Sequence, residues 1–152
     1  MSMSFRRALG LTTLLALAAI ATPAVASHFS PASLGKYVDP GDEFCFREIW
    51  GAMRNGCPTA RRFGLPVHTY WTGSQQAAVN VTASDPTHPV CCQLITAANG
   101  GPFDVAGQVC TSTYGAASTL NVSAYFPSNG AGWVLCTVYP GAQVNHVWFS
   151  GS

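Results

Sequence analysis

The sequence predicts an all-β fold: a disulfide-stabilised antiparallel β-sandwich of about seven strands behind a cleaved signal peptide. Three observations carry that expectation. From Phe63 to Ser152 only Asp85 and Asp104 are charged. A helical bundle needs Lys and Glu on its outer faces, so a stretch whose polarity comes from Ser, Thr, Asn, Gln and Gly is not one. Short apolar runs alternate with polar residues at period two, and Gly, Pro and Asn punctuate them. Finally, six cysteines stand in a chain that opens with an export signal.

That signal comes first in the chain. Arg6 and Arg7 form a positive n-region, and Ala8 to Ala21 is apolar. Thr22-Pro23 breaks the run, and Ala24-Val25-Ala26 supplies small residues for cleavage after Ala26. A membrane span needs about 20 apolar residues, more than this run provides. No Cys lies near Ala26 to take a lipid anchor. Residues 1–26 are therefore expected to be removed, 27–42 to form a loose N-terminal arm and 43–152 to fold as the sandwich. Cleavage takes two of seven basic residues and no acidic ones, leaving five against six. No membrane span is expected in the mature chain. Its near-neutral charge gives no basic stripe to neutralise phosphates, which excludes nucleic acid as a partner. At 48% hydrophobic residues the chain is not disordered either.

Strands follow in order near 67–72, 77–84, 89–96, 107–113, 118–126, 132–139 and 143–150. Ala77-Ala78-Val79-Asn80-Val81-Thr82 and Leu120-Asn121-Val122-Ser123-Ala124 alternate apolar and polar residues. The others are short runs rich in β-branched and aromatic residues. Ser84-Asp85-Pro86, Asn99-Gly100-Gly101-Pro102, Ser128-Asn129-Gly130 and Pro140-Gly141 supply the turns.

Cys45, Cys57, Cys91, Cys92, Cys110 and Cys136 all lie in the mature part. In an exported chain they read as three disulfides, with fifteen connectivities open. A structural metal would want Cys-x-x-Cys pairs or Cys beside His, and neither spacing occurs. Cys91 and Cys92 on one strand point to opposite faces, so they bond to different partners.

Cys57-Pro58, Val79-x-Val81, Val90-x-Cys92-x-Leu94, Leu120-x-Val122 and Leu135-Cys136 with Pro140 form a recognisable series. It resembles a group of small, exported, uncharacterised bacterial proteins with a Cys-Pro, Cys-x-Leu and late-Cys pattern, over about residues 45–150. The resemblance implies a β-sandwich, no known activity and no site residue. Cys91 and Cys110 are additional to that group's four cysteines, and pairing of these extras is the natural expectation. The chain also departs from the group in ending Phe149-Ser150-Gly151-Ser152 rather than in an acidic residue.

Chemistry is sparse. There is no Gly-x-Ser-x-Gly elbow, every Cys has an expected partner, and four of the six carboxylates crowd the polar segment before position 49. No catalytic residues, cofactor or metal are expected. Asp85-Pro86-Thr87-His88, with His68 nearby, has ligand-type residues, but an Asp that starts a turn beside a solvated His explains it. The sequons at Asn80 and Asn121 fall inside strands and read as chance.

Aromatic residues carry the leading expectation. Tyr70 and Trp71 adjoin on a strand, so one faces outward. Trp71 beside Thr69, Thr72 and Gln75 is a platform for a sugar ring. His146 and Trp148 share a face of the last strand and extend it. The expected function is a secreted, non-catalytic binding or structural module that takes an extracellular glycan through exposed aromatics. The alternative is a protease inhibitor or protein-interaction factor that presents Arg61 and Arg62 on an exposed loop.

Overall fold

The computed structural model describes residues 27–68, 72–98, 101, 103–127 and 130–150. Twelve strands are found among them: β1 (Ser27–Pro31), β2 (Lys36–Tyr37), β3 (Phe46–Ile49), β4 (Ala52–Asn55), β5 (Arg61–His68) and β6 (Gly73–Thr82), followed by β7 (Val90–Ala97), β8 (Phe103–Val105), β9 (Val109–Cys110), β10 (Ala117–Phe126), β11 (Ala131–Val138) and β12 (Gln143–Ser150). All strand pairs are antiparallel. They build two sheets. The first runs β10-β6-β12-β4-β3, with β1 also on β12; the second runs β2-β5-β11-β7-β8, with β9 also on β7.

Alternation decides which side chains meet between the sheets. Ala77, Val79, Val81, Leu120, Val122, Phe126, Val144, Val147 and Phe149 point in from the first sheet. Phe63, Leu65, Val67, Val90, Cys92, Leu94, Val134, Cys136 and Val138 meet them from the second. Each fully buried Leu or Phe among them stabilises the fold by about 1.5–3 kcal/mol. Gly132 lies buried in β11 because a Cβ there would sit 2.6 Å from the Phe126 ring.

The disulfides are Cys45–Cys57, Cys91–Cys110 and Cys92–Cys136. Adjacent Cys91 and Cys92 bond to different partners, as opposite strand faces require. Each bridge staples neighbouring segments of one sheet, so cohesion between sheets falls to the core and to side-chain hydrogen bonds such as Thr96 Oγ1 to the Tyr125 carbonyl (2.9 Å) and those of Asn55. That fully buried side chain donates from Nδ2 to the carbonyls of Val138 (2.7 Å) and Thr59 (2.9 Å). Its Oδ1 accepts from the Cys57 N–H at 2.9 Å.

Three expectations need correction. Residues 27–42 are no loose arm: β1 pairs with β12 from Ser27↔Ser150 to Pro31↔His146, and β2 pairs with β5. These short edge strands bury too few side chains to show a period-two pattern. Arg61 and Arg62 do not stand on a loop either, because they begin β5 opposite Val138 and Thr137 of β11. Phe63, Leu65 and Val67 point inward from β5, and its outward Gly64 and Pro66 disguised the alternation. Strand β5 begins at Arg61, ahead of the strand expected near 67–72, of which 69–71 lie outside the described residues, while β3, β4 and β8 are strands that the sequence pattern did not mark. No helix among the described residues is long and apolar enough to cross a membrane.

Candidate functional site

The outer face of the first sheet gathers rings and amides in one place. Trp148 and His146 point outward from β12, and Phe29 lies opposite Trp148 on β1. Phe29 sits 5.0 Å from the His146 ring and 5.4 Å, edge to face, from Trp148. His146 and Trp148 are 6.3 Å apart. Such offset and edge geometries are the favoured ones for aromatic pairs. Phe29 and Trp148 nonetheless remain about half exposed, at 52% and 47%. The cross-strand neighbour of Trp148 on β6 is Ala78, followed by Asn121 on β10. A methyl beside an indole leaves the ring face open.

Next to the rings lies a row of hydrogen-bonding side chains. The β12 register shifts between Val144 and His146, so Asn145 sits in a bulge. A bulge re-aims side chains, and here it joins Asn145 to a network. Asn145 Nδ2 donates to Asn80 Oδ1 (2.7 Å) and Thr82 Oγ1 (3.2 Å), and Gln143 Nε2 donates to Asn145 Oδ1 (2.8 Å). Asn80 Nδ2 reaches Thr119 Oγ1 at 3.5 Å. Asn80, Thr82, Gln143 and Asn145 stay partly exposed and Thr119 exposed, so the row is open to solvent while its members bond to one another.

Because β1 and β4 both pair with β12, at different points along it, a gap opens between them. It forms a cleft of about 310 Å³ lined by Phe29, Pro31, Ile49, Trp50, Gln143, Asn145 and His146, among others. Trp50 and Gly51 form the two-residue turn of the β3–β4 hairpin, with φ of +53° and +82°. Trp50 is fully exposed. A left-handed, solvent-exposed Trp is disfavoured on both counts, by backbone sterics and by hydration.

The electrostatics of this face are quiet. From β1 across β12 and β6 to β10, no Asp, Glu, Lys or Arg points outward among the described residues. Arg54 and Arg47 begin only at the far side, on β4 and β3, and Arg54 Nε donates to the Gly141 carbonyl at 2.9 Å. Partial burial holds the His146 imidazole below its ordinary pKa, favouring the neutral ring.

Of the residues singled out from the sequence, the structure thus brings together His146 and Trp148. Tyr70 and Trp71 lie outside the described residues. Arg61 is ion-paired with the buried Asp42 at 3.0 Å. Arg62 is paired with Asp39, whose carboxyl it holds below the usual range. These pairs hold the start of β5 to residues 39–42. Asp85, bonded by Thr87 and then His88 within one turn, is lowered to about 2. That satisfies the Asp85–His88 pair locally. The sequence pattern does not point to Phe29 or Trp50: Phe29 falls in the expected N-terminal arm, and a hairpin turn is an unusual place for Trp.

The fold is of a class known from carbohydrate-binding modules. No protein-family model and no curated protein sequence matches the chain. Solved structures do. The C-terminal CBM6 of LamC, a marine laminarinase from Zobellia galactanivorans, aligns with a TM-score of 0.57 and 10% identity, over 83% of this chain and 100% of that one. The CBM36-1 domain of a multidomain xylanase from the hindgut metagenome of Trinervitermes trinervoides gives 0.56 and 9%, over 84% and 98%. A Podospora anserina GH26-CBM35 β-(1,4)-mannanase gives 0.54 and 7%, over 83% of this chain but 28% of that one. At these identities the likeness is one of fold.

Proposed function

We propose that the protein is an exported, non-catalytic glycan-binding module that takes a neutral polysaccharide on the outer face of its first sheet. The observation that carries this reading is the juxtaposition of the Phe29–His146–Trp148 rings with the Gln143–Asn145–Asn80–Thr119 row on the stretch of that face, from β1 to β10, where no described residue carries outward charge. A pyranose presents C–H groups on its faces and hydroxyls around its rim. The open indole of Trp148 takes the first, and fixed amides and hydroxyls take the second. The cleft beside Trp50 receives the next residue of the chain. From β1 across β12 and β6 to β10 the described residues of this face offer no cation or carboxylate, and Arg54, the nearest cation, is bonded to the Gly141 carbonyl, so an anionic polymer gains little there. The fold shared with CBM6, CBM35 and CBM36 modules supports the class of ligand, and three disulfides suit an oxidising destination outside the cytoplasm.

The test is retention of the oxidised mature chain on insoluble neutral polysaccharides and on peptidoglycan, read with tryptophan fluorescence. Trp148→Ala is expected to weaken binding at least tenfold with the circular dichroism spectrum unchanged, since stacked ring loss costs ~1–3 kcal/mol in comparable stacking contacts. Trp71→Ala is the parallel variant for the platform expected from the sequence. Unaltered retention of Trp148→Ala would remove this face from consideration, and loss in Trp71→Ala alone would move the site there.

A further inference from the structure

We propose that the outer face of the second sheet is a separate binding trough for a monomeric amphiphile, an apolar chain that ends in a carboxylate. The floor follows from strand register. Pro66, Trp133, Ile95 and Val105 lie side by side on β5, β11, β7 and β8, an unbroken apolar row across four strands. In the next row Gly64 stands beside Leu135, and the missing side chain deepens the floor. The edges rise on either side: Tyr37 and Val38 next to β5, and Phe103 and Val105 on β8. The trough is open to solvent along its length and has a volume of about 600 Å³, within the ~300–1,000 Å³ of small-molecule sites.

Its chemistry is unlike that of the first sheet. Where the first sheet carries amides and hydroxyls, this trough has almost none, so it cannot satisfy the hydroxyls of a sugar. Tyr37, Val38, Phe103, Val105 and Trp133 cluster here with much of each side chain exposed, a grouping that scattered surface apolar residues do not make, and the raised walls fit a narrow ligand better than a flat protein surface. Charge chooses the head group. Among the described residues, Lys36 is the sole charged one lining the trough, at the end of the Gly64–Leu135 row. Among the described residues it has no carboxylate partner, whereas Arg62, one row further along, is held by Asp39. A carboxylate at Lys36 leaves the aliphatic tail to run over Leu135, Ile95 and Trp133. The ligand is therefore a free fatty-acid-like molecule bound one at a time.

The experiment titrates the oxidised chain with saturated alkanoates of increasing length, each below its micellar concentration, by calorimetry and tryptophan fluorescence. Affinity is expected to rise by up to about fourfold per methylene, the equivalent of burying one CH₂, until the trough is full, and then to level off. Val105→Asp, at an exposed edge position, should abolish binding without unfolding the sandwich. Lys36→Gln should weaken alkanoates severalfold and leave the matching alcohols unchanged. Trp148→Ala, on the opposite sheet, should change neither, which separates this site from the glycan face. Absence of alkanoate binding, or binding indifferent to Val105→Asp, would overturn the proposal. So would equal affinity for alcohols and alkanoates, sedimentation with phosphatidylglycerol vesicles without monomer binding, or dimerisation through this face that excludes alkanoate.

Discussion

Trp50 holds a backbone conformation that costs an L-residue roughly 1–2 kcal/mol, and it does so where its ring gains nothing from the core. Both central residues of a two-residue hairpin of this type need positive φ, and Asn-Gly is the pair that adopts it most readily. Trp50→Asn is therefore expected to stabilise the isolated chain by about 1 kcal/mol, seen as a higher urea midpoint. The same variant should weaken polysaccharide binding, because it strips the ring from the cleft between β1 and β4. A gain in stability coupled to a loss of affinity is the signature of strain kept for function. If affinity is unchanged while stability rises, Trp50 stands outside the site and the cleft loses its far wall.

At the scale of elements, β4 and β11 belong to different sheets, yet Asn55 ties the end of one to the end of the other through the Val138 carbonyl. Asn55→Ala removes both Nδ2 donors and the acceptor for Cys57 N–H, leaving three backbone groups without their partner. Each buried orphan costs ~1–3 kcal/mol, so a loss of about 3 kcal/mol is expected in urea unfolding, more than any exposed loop change would give. The long strands were legible before the structure: alternation marked β6 and β10, and apolar runs marked β7, β11 and β12. The short strands β1 to β4 were not, because a strand of two to five residues has no room for a repeating pattern. Strand β5 is hidden for a second reason besides its outward Gly64 and Pro66. Its first two residues are arginines that buried or neighbouring aspartates neutralise, a pairing set by tertiary contact rather than by local sequence. The candidate face shows the same division. His146 and Trp148 share a strand face and so could be read together. Phe29, over a hundred positions away in sequence, reaches them only through the β1–β12 register, and the Asn145 network depends on a bulge that no local motif announces.

For the whole molecule, acid should act in two stages set by different groups. His146 is held below its ordinary pKa by burial, so near pH ~6.5 the unfolded chain takes up a proton that the folded chain does not. Stability from this group is complete above that value and declines as the pH falls through the window down to the folded pKa. Asp85 works in the same direction at lower pH. Its folded pKa is about 2 against 3.8 for the free group, so its contribution is present above the free value and is lost as the pH falls toward the folded one. Asp39, lowered by its hydrogen bond to Arg62, adds to that second stage. Urea midpoints measured across this range should therefore decline first where histidine titrates and again where carboxylates do. His146→Gln should erase the first decline and keep the second. Glycan affinity should follow the first stage alone, since protonated His146 would have to be dehydrated further under a bound sugar, whereas Asp85 and Asp39 lie outside the candidate face. A single decline confined to the carboxylate range in the wild-type chain would show that the His146 ring is as well hydrated when folded as when unfolded, and would remove pH as a control on the ring cluster.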